Sequence, residues 1–463
     1  EVDVSWRLSW RNDTNWDAAW LFAKLPRTDG GDHLRLAPAG HQTLQNRHPD
    51  QPGAAFTVPS DSLGAFVYRD AQTEARGPND WRLRLRLALP GDRTPADLPE
   101  TVKVYGVEMV YVPEGPFFLG DPQRPDEAPA YAFYEQTADT TSSPAYRVTS
   151  SDAMSVCTGP GSLCYQAEGG PPWAGDQKGP IPASYPNGYD AFYLMKYEVT
   201  QGQYAAFLNA LTGLQSAERD VRSGRTYEEG RGTIELVNGT YVTNRPDRAC
   251  NYLSWESAAA FADWAALRPM TELEYEKAAR GPAEPVADEF AWGTTTIAHG
   301  DTIFAADSSV AAVEDGTEFV RGNADYGAGS DRFEGGDRGY GPLRVDIFET
   351  HAHRTETDSL RQASGAGYYG AHGLTGSLFD RVVTAGDSVG RAFRGTHGDG
   401  GISYPGQATN DDWPTTQGEG LGLRGGSLAH QARWGHLAVR IFGDYSAHYG
   451  ATAMGFRAAR SAP

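Results

Sequence analysis

The stretch RPMTELEYEKAARG, Arg268 to Gly281, contains a helix whose beginning and end are both marked by its residues. Thr271 is a preferred N-cap residue, and Glu274 follows at the third position, which is the spacing of a capping box. Gly281 stands just past the last helical residue, where a glycine commonly ends a helix. The stretch therefore predicts a short helix over residues 272–280.

Two more helices are marked in the same way earlier in the chain. Thr200 precedes QGQYAAFLNAL, with Gln203 at the capping-box spacing, and Ser254 precedes WESAAAFADWAAL. After Gly281 helical periodicity almost disappears, and glycine, aromatic residues and turn-forming Asp, Asn and Ser dominate. We expect this part of the chain to be low in regular structure, and loops of such length are usually functional or held by ions.

The beginning of the chain has strand patterns instead. Apolar residues occupy every second position in VDVSWRLSW, from Val2, and in WRLRLRLAL, from Trp81, so each strand is expected to bury one face. Further strands are predicted at Ala18–Lys24 and Ala65–Arg69. These patterns predict an all-β, immunoglobulin-like sandwich over residues 1–105.

The predicted fold class is therefore α+β in two domains. The Pro-rich stretch from Pro90 to Glu100 is the predicted linker, and residues 106–463 form the second domain. Long loop insertions are expected within it at about 121–188, 325–365 and 395–420.

The charge of the chain limits its partners. Asp and Glu outnumber Lys and Arg by 60 to 40, and the net charge of -20 has the wrong sign for tracking phosphates, so no nucleic-acid partner is expected. Carboxylates are the oxygen ligands that calcium prefers. No apolar run is long enough to predict a membrane span. The sequence opens at Glu1 in a strand pattern, which is typical of a mature exported protein.

Three cysteines are present, at positions 157, 164 and 250. Cys157 and Cys164 lie in one Gly/Ser/Pro-rich loop and are close enough to form a small disulfide ring. Export to an oxidising environment would favour that bond. Cys250 is expected to be a buried thiol.

Five stretches in order, from about Val107 to Arg460, resemble the sulfatase-modifying-factor, or formylglycine-generating-enzyme, family. The stretches are MVYVPEGPFFLGD, FYLMKYEVTQGQYAAFLNAL, YLSWESAAAFADWAA, RPMTELEYEKAARG followed by FAWG, and the closing LRGGS…R…GFRAAR. The resemblance implies a C-type lectin-like fold for this part of the chain. The first 105 residues lie outside it.

The resemblance also points to a missing activity. In the oxidase members, two cysteines follow the RGGS signature and bind copper, and their positions fall on His430 and Gly435 here. A thiolate is both the soft ligand for copper(I) and the redox partner in that reaction, and neither residue supplies one. We therefore expect that this chain is not an enzyme of the formylglycine type.

Calcium is the cofactor that the resemblance implies, at two sites. The first would use the side chain of Asn323, the carbonyl of Ala324, the carboxylate of Asp346 and the carbonyl of Phe348. The second would use the carbonyls of Gly376 and Leu378 and the carboxylate of Asp380, while Gly373 replaces an asparagine of the family. The alternative interpretation is that these aspartates only cap turns.

The segment after Arg424 is rich in aromatic, histidine and arginine side chains, which suit a recognition surface for a glycan or a protein. The candidate ligand-binding residues are His430, Arg433, Trp434, His436, Phe442, Tyr445, His448 and Tyr449. The alternative is that about half of these aromatic residues pack in the core.

Three functions remain in competition. The leading hypothesis is a non-catalytic, extracellular bacterial protein, secreted or on the cell surface, on a calcium-stabilised lectin-like scaffold. It would bind a ligand, or assemble with its own copies into a surface layer or filament through the sandwich and the loop insertions. The second is a mononuclear iron or copper oxidase that uses His430 and neighbouring histidines. The third is a retroelement-diversified receptor or adhesin that varies between Leu428 and Met454.

Overall fold

The computed structural model describes most of the chain. The residues outside the description are 26–32, 50, 71–74, 90–93, 95–100, 123–130, 140–142, 166–171, 224–225, 301–302, 305–318, 321, 328–340, 351–359, 415–417 and 447. Most of the predicted linker and of the 325–365 insertion therefore lies outside the described residues.

The described residues form 22 strands, most of them short. The strands are β1 (Val2–Arg11), β2 (Asp17–Lys24), β3 (His33–Leu36), β4 (Gln42–Asn46), β5 (Ala54–Thr57), β6 (Ala65–Arg69), β7 (Ala75–Arg84), β8 (Leu87–Ala88), β9 (Lys103–Val112), β10 (Phe117–Leu119), β11 (Tyr134–Glu135), β12 (Tyr146–Val148), β13 (Leu163–Cys164), β14 (Phe192–Met195), β15 (Ile234–Val237), β16 (Thr240–Thr243), β17 (Arg268–Pro269), β18 (Ile303–Phe304), β19 (Phe319–Val320), β20 (Asp380–Val383), β21 (Leu421–Arg424) and β22 (Ala458–Ser461).

Seven α-helices accompany these strands in the described ranges. They are α1 (Gln201–Leu208), α2 (Gly213–Glu218), α3 (Trp255–Trp264), α4 (Glu272–Arg280), α5 (Ile347–Thr350), α6 (Leu360–Ser364) and α7 (Ser388–Arg391). Short 3₁₀ helices occur at Pro172–Ala174, Val221–Ser223 and Ala432–Gly435. Within the described ranges, no helix combines the length and apolar character needed to cross a bilayer.

The three helices predicted from their caps are confirmed. The side chain of Thr200 accepts a hydrogen bond from Gln203 N at α1, and Thr271 accepts one from Glu274 N at α4, both within complete capping boxes. Ser254 caps α3 by accepting from Ser257 N. Gly281 follows α4 with a φ of 66°, a left-handed conformation that glycine adopts without strain.

Strand β2 joins the beginning of the chain to the rest of the fold. It pairs with β9 along its whole length, from Asp17 opposite Val110 to Lys24 opposite Lys103. The resulting nine-stranded sheet runs in the order β17-β22-β14-β9-β2-β3-β8, and β6 also pairs with β2 and carries β5. The predicted domain boundary at residue 105 therefore falls inside β9, in a sheet to which both parts of the chain contribute.

Both faces of β2 are buried, which explains the continuous apolar run from Ala18 to Ala23. Trp20 and Phe22 face the large core that also contains Trp264 of α3. Leu21 faces the other way and packs with Trp81 in the core between this sheet and the three-stranded sheet β1-β7-β4. The beginning of the chain is all-β, as predicted, while the immunoglobulin and C-type lectin types remain predictions.

The alternation predicted for the first strand is wrong after Trp6. The β1–β7 register shifts between Trp6 and Ser9, and Leu8 has a φ of 58°. This bulge leaves Leu8 exposed and buries Ser9, because one extra residue reverses the faces of those that follow. The second predicted strand, from Trp81 to Leu89, is also divided: β7 ends at Arg84, and β8 pairs in the other sheet.

Candidate functional site

A buried network of ion pairs fixes both ends of the segment that follows β21. The guanidinium of Arg424, the last residue of β21, donates to Glu272 at 3.2 Å and also pairs with Glu276. Arg440 donates to both carboxylate oxygens of Glu272, at 2.7 and 2.8 Å. Burial alone would raise the pKa of Glu272, but the two guanidiniums lower it below its ordinary value. The first turn of α4 therefore anchors the segment.

Seven rings meet beside this anchor and are called the aromatic surface below. They belong to Trp173, Phe379, His430, Trp434, Phe442, Tyr445 and Tyr449. Phe442 is central: its ring centroid lies 5.7 Å from that of Trp434, 5.9 Å from that of Trp173 and 5.2 Å from that of Tyr445. The hydroxyl oxygens of Tyr445 and Tyr449 lie 3.3 Å apart.

The aromatic surface has a buried base and an open edge. Phe379 is only 4% exposed and packs under His430 and Phe442, with centroid distances of 4.8 and 5.6 Å. Trp173 and Tyr449, by contrast, are 42% and 48% exposed. Some of these rings therefore belong to the core and others face solvent, and the group offers apolar contact area with hydroxyls at its edge.

His430 is held within this group rather than pointing into solvent. Its Nδ1 lies 2.7 Å from Oγ of Ser427, a hydrogen bond, and its carbonyl oxygen accepts from the amide of Gly327 at 2.9 Å. Burial lowers the pKa of its imidazole. His430 is therefore neutral near pH 7 and packs as an aromatic ring.

The other predicted ligand-binding residues divide into two groups. Exposed Arg433 stacks on Trp434 at 5.7 Å, and exposed His448 lies next to Tyr449, so both lie at the edge of the aromatic surface. His436 lies elsewhere: it packs on Phe290 at 4.7 Å, and its Nδ1 is 3.5 Å from a carboxylate oxygen of Asp288. Among the described residues there is no group of three or more His, Cys, Asp and Glu side chains that could hold a metal ion.

Trp173 belongs to the aromatic surface but was not predicted from the sequence. It lies within the 121–188 insertion, and its carbonyl oxygen accepts a hydrogen bond from the amide of Asp444 at 2.6 Å. The same insertion contains Cys157 and Cys164, which are joined in a disulfide. Cys250 is buried, as expected, and its burial raises the pKa of its thiol.

The residues predicted for the first calcium site are engaged by protein groups. Oδ1 of Asn323 accepts from the amide of Ala298, and its Nδ2 donates to the carbonyl of Gln362, both at 2.9 Å. The carboxylate of Asp346 binds the guanidiniums of Arg344 and of Arg7. A carboxylate between two cations does not fit the role of a calcium ligand, so the predicted set does not fit calcium in this arrangement.

The second predicted set has a similar arrangement. Asp380 accepts from Nε of Arg457 with both oxygens, at 2.9 Å each. Beside it, Glu198 accepts from the amide of Leu378 at 3.0 Å and from Oγ of Ser377 at 2.8 Å. Burial and the nearby Asp380 raise the pKa of Glu198 to about 8. Glu198, which the sequence did not single out, is thus the carboxyl that faces this turn.

A second buried cluster joins β2 and β9 to the rest of the fold, and it was also missed. Nζ of Lys196 lies 3.2 Å from Glu349, 3.8 Å from Glu108 and 3.9 Å from Asp17. Burial raises the pKa of Asp17 to about 6 and that of Glu108 to about 8. Burial opposes the ionisation of Glu349 as well, but Lys196 and the imidazole of His372 lower the pKa of Glu349 to about 2. One ammonium group is therefore shared by three carboxyl groups, of which Glu349 is the one that stays ionised most readily.

The comparison with protein families matches residues 95–462 to the sulfatase-modifying factor enzyme 1-like domain. The chain belongs to this family. The match begins before β9 and ends just after β22, so it includes the network around Glu272 and the whole aromatic surface. It also includes the Lys196 cluster except for Asp17, which lies in β2.

Two formylglycine-generating enzymes are similar to parts of the chain. That of Bos taurus is 30% identical over 128 residues, which is 22% of this chain and 34% of the enzyme. That of Thermomonospora curvata is 37% identical over 132 residues, which is 24% of this chain and 43% of the enzyme. The matched stretches thus cover less than half of either relative.

His430 and Gly435, the two positions at which the sequence predicts that family cysteines are replaced, have distinct surroundings. At His430 the side chain is part of the aromatic surface. At Gly435 a Cβ atom would lie 2.9 Å from Cγ2 of Thr375 and 3.4 Å from the carbonyl oxygen of Gly425. Thr375 is fixed, because its hydroxyl donates to the carbonyl of Gly435 at 3.0 Å and accepts from the amide of Ala291. The protein therefore has no room for a side chain at position 435 unless Thr375 moves.

Proposed function

We propose that this chain is a non-catalytic, exported member of the family that binds a ligand through its aromatic surface. The observation that carries the proposal is the position of His430. It stands where the first cysteine of the oxidase members would be, and it is packed among aromatic rings that continue to solvent-exposed Trp173 and Tyr449. In this proposal, the aromatic surface occupies the place of the reactive cysteine expected in the oxidase members.

The sulfur chemistry has no alternative carrier in this chain. The three cysteines are accounted for by one disulfide and by buried Cys250, whose thiol has a raised pKa. A copper(I) oxidase needs accessible thiolates as soft ligands. Gly435 has no side chain, and the imidazole of His430 is neutral and half-buried among aromatic rings. These features support a scaffold that has kept the family fold without its reaction.

A glycan is the ligand class that the aromatic surface suits best. Sugar rings present flat apolar faces surrounded by hydroxyls, and aromatic rings with polar atoms at their edge complement both features. Here exposed Trp173 and Tyr449 offer the ring area, and Arg433 and His448 offer polar groups nearby. The net charge of -20 favours a neutral or cationic glycan over a polyanionic one.

Export is supported by the disulfide between Cys157 and Cys164, since such bonds persist mainly in oxidising compartments. We keep the extracellular, bacterial location and the C-type lectin-like scaffold as parts of the proposal. Short strands and capped helices, with long loops that carry the site, support the scaffold part of the proposal.

Glycan-array screening of the whole chain, followed by calorimetric titration of the best glycan, tests the proposal. Tyr449→Ala and Trp173→Ala are each expected to weaken binding by about tenfold or more, as is usual when an aromatic anchor is removed. Tyr404→Ala is the matched control, because Tyr404 is 79% exposed but outside the aromatic surface, and its affinity should be unchanged.

Three outcomes would contradict this function. Copper-dependent oxygen consumption by the purified chain with a cysteine-containing peptide would return it to the oxidase class. Iron or copper found at one equivalent by elemental analysis would favour the mononuclear oxidase. Binding that is equally reduced by the Tyr404 and Tyr449 substitutions would show that the aromatic surface is not the site.

Self-assembly is the second candidate function, and the hairpin β15–β16 favours it. Leu236, Val237 and Val242 are exposed on this hairpin, which pairs with no further strand in the described part of the chain. Two copies related by a two-fold axis would pair their free edges and cover these residues. Sedimentation of the whole chain tests this: Leu236→Lys should shift an oligomer to monomers, and a wild-type monomer at all concentrations would exclude assembly.

A further inference from the structure

A cleft of about 820 Å³ separates β1 and β7 from the residues that follow β14 and begin α1. Its first wall contains Trp6 and Asn79, which lie opposite each other in the β1–β7 register. Its second wall contains Glu108 of β9, Tyr197 and Gln203. The volume is within the range of about 300–1,000 Å³ that sites for small molecules occupy. None of the seven rings of the aromatic surface lines this cleft.

The bulge in β1 forms one edge of the cleft. The register with β7 shifts between Trp6 and Ser9, and Arg7 and Leu8, which lie within the shift, both line the cleft. Leu8 is 39% exposed and gives this edge an apolar contact. Both strands precede residue 95, where the family match begins. The first wall therefore lies outside the family domain, and the cleft needs both parts of the chain.

Asn79 is the unusual member of the first wall. Its side chain lies on the same face of β7 as Trp81 and Leu83, which pack in the apolar core between the two sheets. Asn79 is only 1% exposed, yet among the described residues neither its Oδ1 nor its Nδ2 has a hydrogen-bond partner. A buried carboxamide with both atoms unmatched is unfavourable, which indicates that a group outside the chain completes its surroundings.

Glu108 brings a second unmatched polar group to the cleft. It lies opposite Ala19 in the β2–β9 register, so its side chain points toward the same space between the sheets as that of Ala19. Among the described residues its Oε2 accepts no hydrogen bond, and Nζ of Lys196 is 3.8 Å away. Burial raises the pKa of Glu108 to about 8, so at pH 7 this carboxyl can donate as well as accept.

The charged side chains along the cleft are paired with one another. Arg7 lies 2.8 Å from a carboxylate oxygen of Asp346, and Arg47 lies 3.7 Å from one of Asp80. Asp247, which also lines the cleft, is exposed to solvent. A charged ligand would have to break these pairs or bury its own charge beside groups that are already matched. The cleft therefore suits a neutral ligand with hydrogen-bonding groups.

The carboxamide of Asn79 limits which neutral groups fit. Its Oδ1 needs a donor, and its Nδ2 needs an acceptor next to that donor. A trans peptide group cannot supply both, because its N–H and C=O point in opposite directions. Two adjacent hydroxyls of a sugar ring can, since each hydroxyl is both a donor and an acceptor.

We propose that this cleft binds a neutral sugar that presents two adjacent hydroxyls to the carboxamide of Asn79. One hydroxyl donates to Oδ1, and the oxygen of the next accepts from Nδ2. Glu108 binds a further hydroxyl through Oε2, and Leu8 contacts the apolar part of the ring at the edge of the cleft. The proposal is independent of glycan binding at the aromatic surface, because the two places share no residue.

Saturation-transfer NMR on the whole chain tests the proposal, with the methyl glycosides of glucose, galactose and mannose, and maltotriose, as probes. At least one of them is expected to bind wild type. Asn79→Leu removes both hydrogen bonds and should weaken binding of that sugar by about tenfold or more. Tyr449→Ala is the matched control: it alters the aromatic surface and should leave the affinity of the cleft unchanged.

Thermal unfolding without sugar gives a second measurement. Asn79→Leu should unfold at the same temperature as wild type or higher, because it replaces an unmatched buried carboxamide with an apolar side chain like its neighbours in β7. Excess sugar should raise the unfolding temperature of wild type and of Tyr449→Ala, but not that of Asn79→Leu. If leucine proves too large for the fold, Asn79→Ala removes the same carboxamide without adding bulk and should lose binding equally.

Three results would overturn the proposal. Wild type that binds none of the sugars would mean that water alone meets Asn79. Binding of acetamide or urea without binding of any sugar would assign the cleft to a carboxamide ligand. Sugar binding that survives both Asn79 variants and is lost in Tyr449→Ala would place the sugar at the aromatic surface. Failure of the glycan proposal for the aromatic surface is recognised separately, because it leaves the effect of the Asn79 variants intact.

Discussion

The substitution Lys196→Met removes the ammonium at the centre of the cluster that joins β2, β9 and α5. Methionine has a similar length and no charge, so the change leaves Asp17, Glu108 and Glu349 facing one another around an apolar side chain. Asp17 also accepts from Nε1 of Trp6 at 2.9 Å and from Oγ of Ser9 at 2.6 Å, which ties β1 to the same cluster. We expect a large loss of stability without a change of fold.

The magnitude follows from two independent considerations. Removing one partner of a buried ion pair costs about 3–5 kcal/mol, because the other charge stays buried and unmatched. The pKa of Glu349 falls from 4.5 to about 2 in the folded chain. At about 1.36 kcal/mol per unit, this corresponds to roughly 3 kcal/mol of stability that depends largely on Lys196. The ion-pair cost and the pKa of Glu349 together give an expected loss of about 3–4 kcal/mol in the free energy of unfolding at neutral pH.

The loss is expected to depend on pH. Glu349 has a lowered folded pKa, so its contribution is present above its unfolded value of 4.5 and is lost as pH falls toward about 2. Asp17 and Glu108 have raised folded pKa values, so they destabilise the fold as pH rises through about 6 and about 8. Without Lys196, the free-energy cost of ionising buried Asp17 and Glu108 becomes larger. The difference between wild type and variant should therefore increase from pH 4 to pH 8.

Urea unfolding followed by tryptophan fluorescence at pH 5 and pH 8 measures both quantities. Lys178→Met is the control, since Lys178 is exposed and its substitution should change stability by less than about 0.5 kcal/mol. A loss below about 1 kcal/mol at pH 8, or an equal loss at both pH values, would refute the role assigned to Lys196.

Three further predictions concern the segment after β21 and the carboxylate in α4 that anchors it. Gly435→Ala should lower stability by about 1–3 kcal/mol in thermal or urea unfolding, because its Cβ would meet the fixed methyl of Thr375; a neutral effect would show that the site has room. For the same reason, His430→Cys combined with Gly435→Cys should restore no copper-dependent oxygen consumption, and measurable turnover would contradict the closed geometry. Glu272→Gln should cost about 3–5 kcal/mol, since it leaves two buried arginines without their shared carboxylate; unchanged unfolding together with unchanged glycan binding would exclude the anchoring role.

The family and its helices could be predicted from the sequence because their determinants are local. The caps at Thr200 and Thr271 use side chains three residues from their partners, so the capping boxes can be recognised without any knowledge of the fold. The ordered motifs around them identify the family, and the sequence itself shows that positions 430 and 435 are not cysteines. The net charge follows directly from the composition, and the pairing of Cys157 with Cys164 could be predicted because the two residues are only seven positions apart.

The tertiary structure alone decided which distant side chains meet. Trp173 joins Phe442 across more than half of the chain, and Lys196 gathers carboxyls from three separate elements. It also placed Asp346 beside arginines and left the carboxamide of Asn79 facing a cleft. Short-range hydrogen bonds have few possible partners and can be read from spacing, whereas the pairing of buried charges and rings depends on strand register and loop closure. A single bulge in β1 is enough to change which residue is buried.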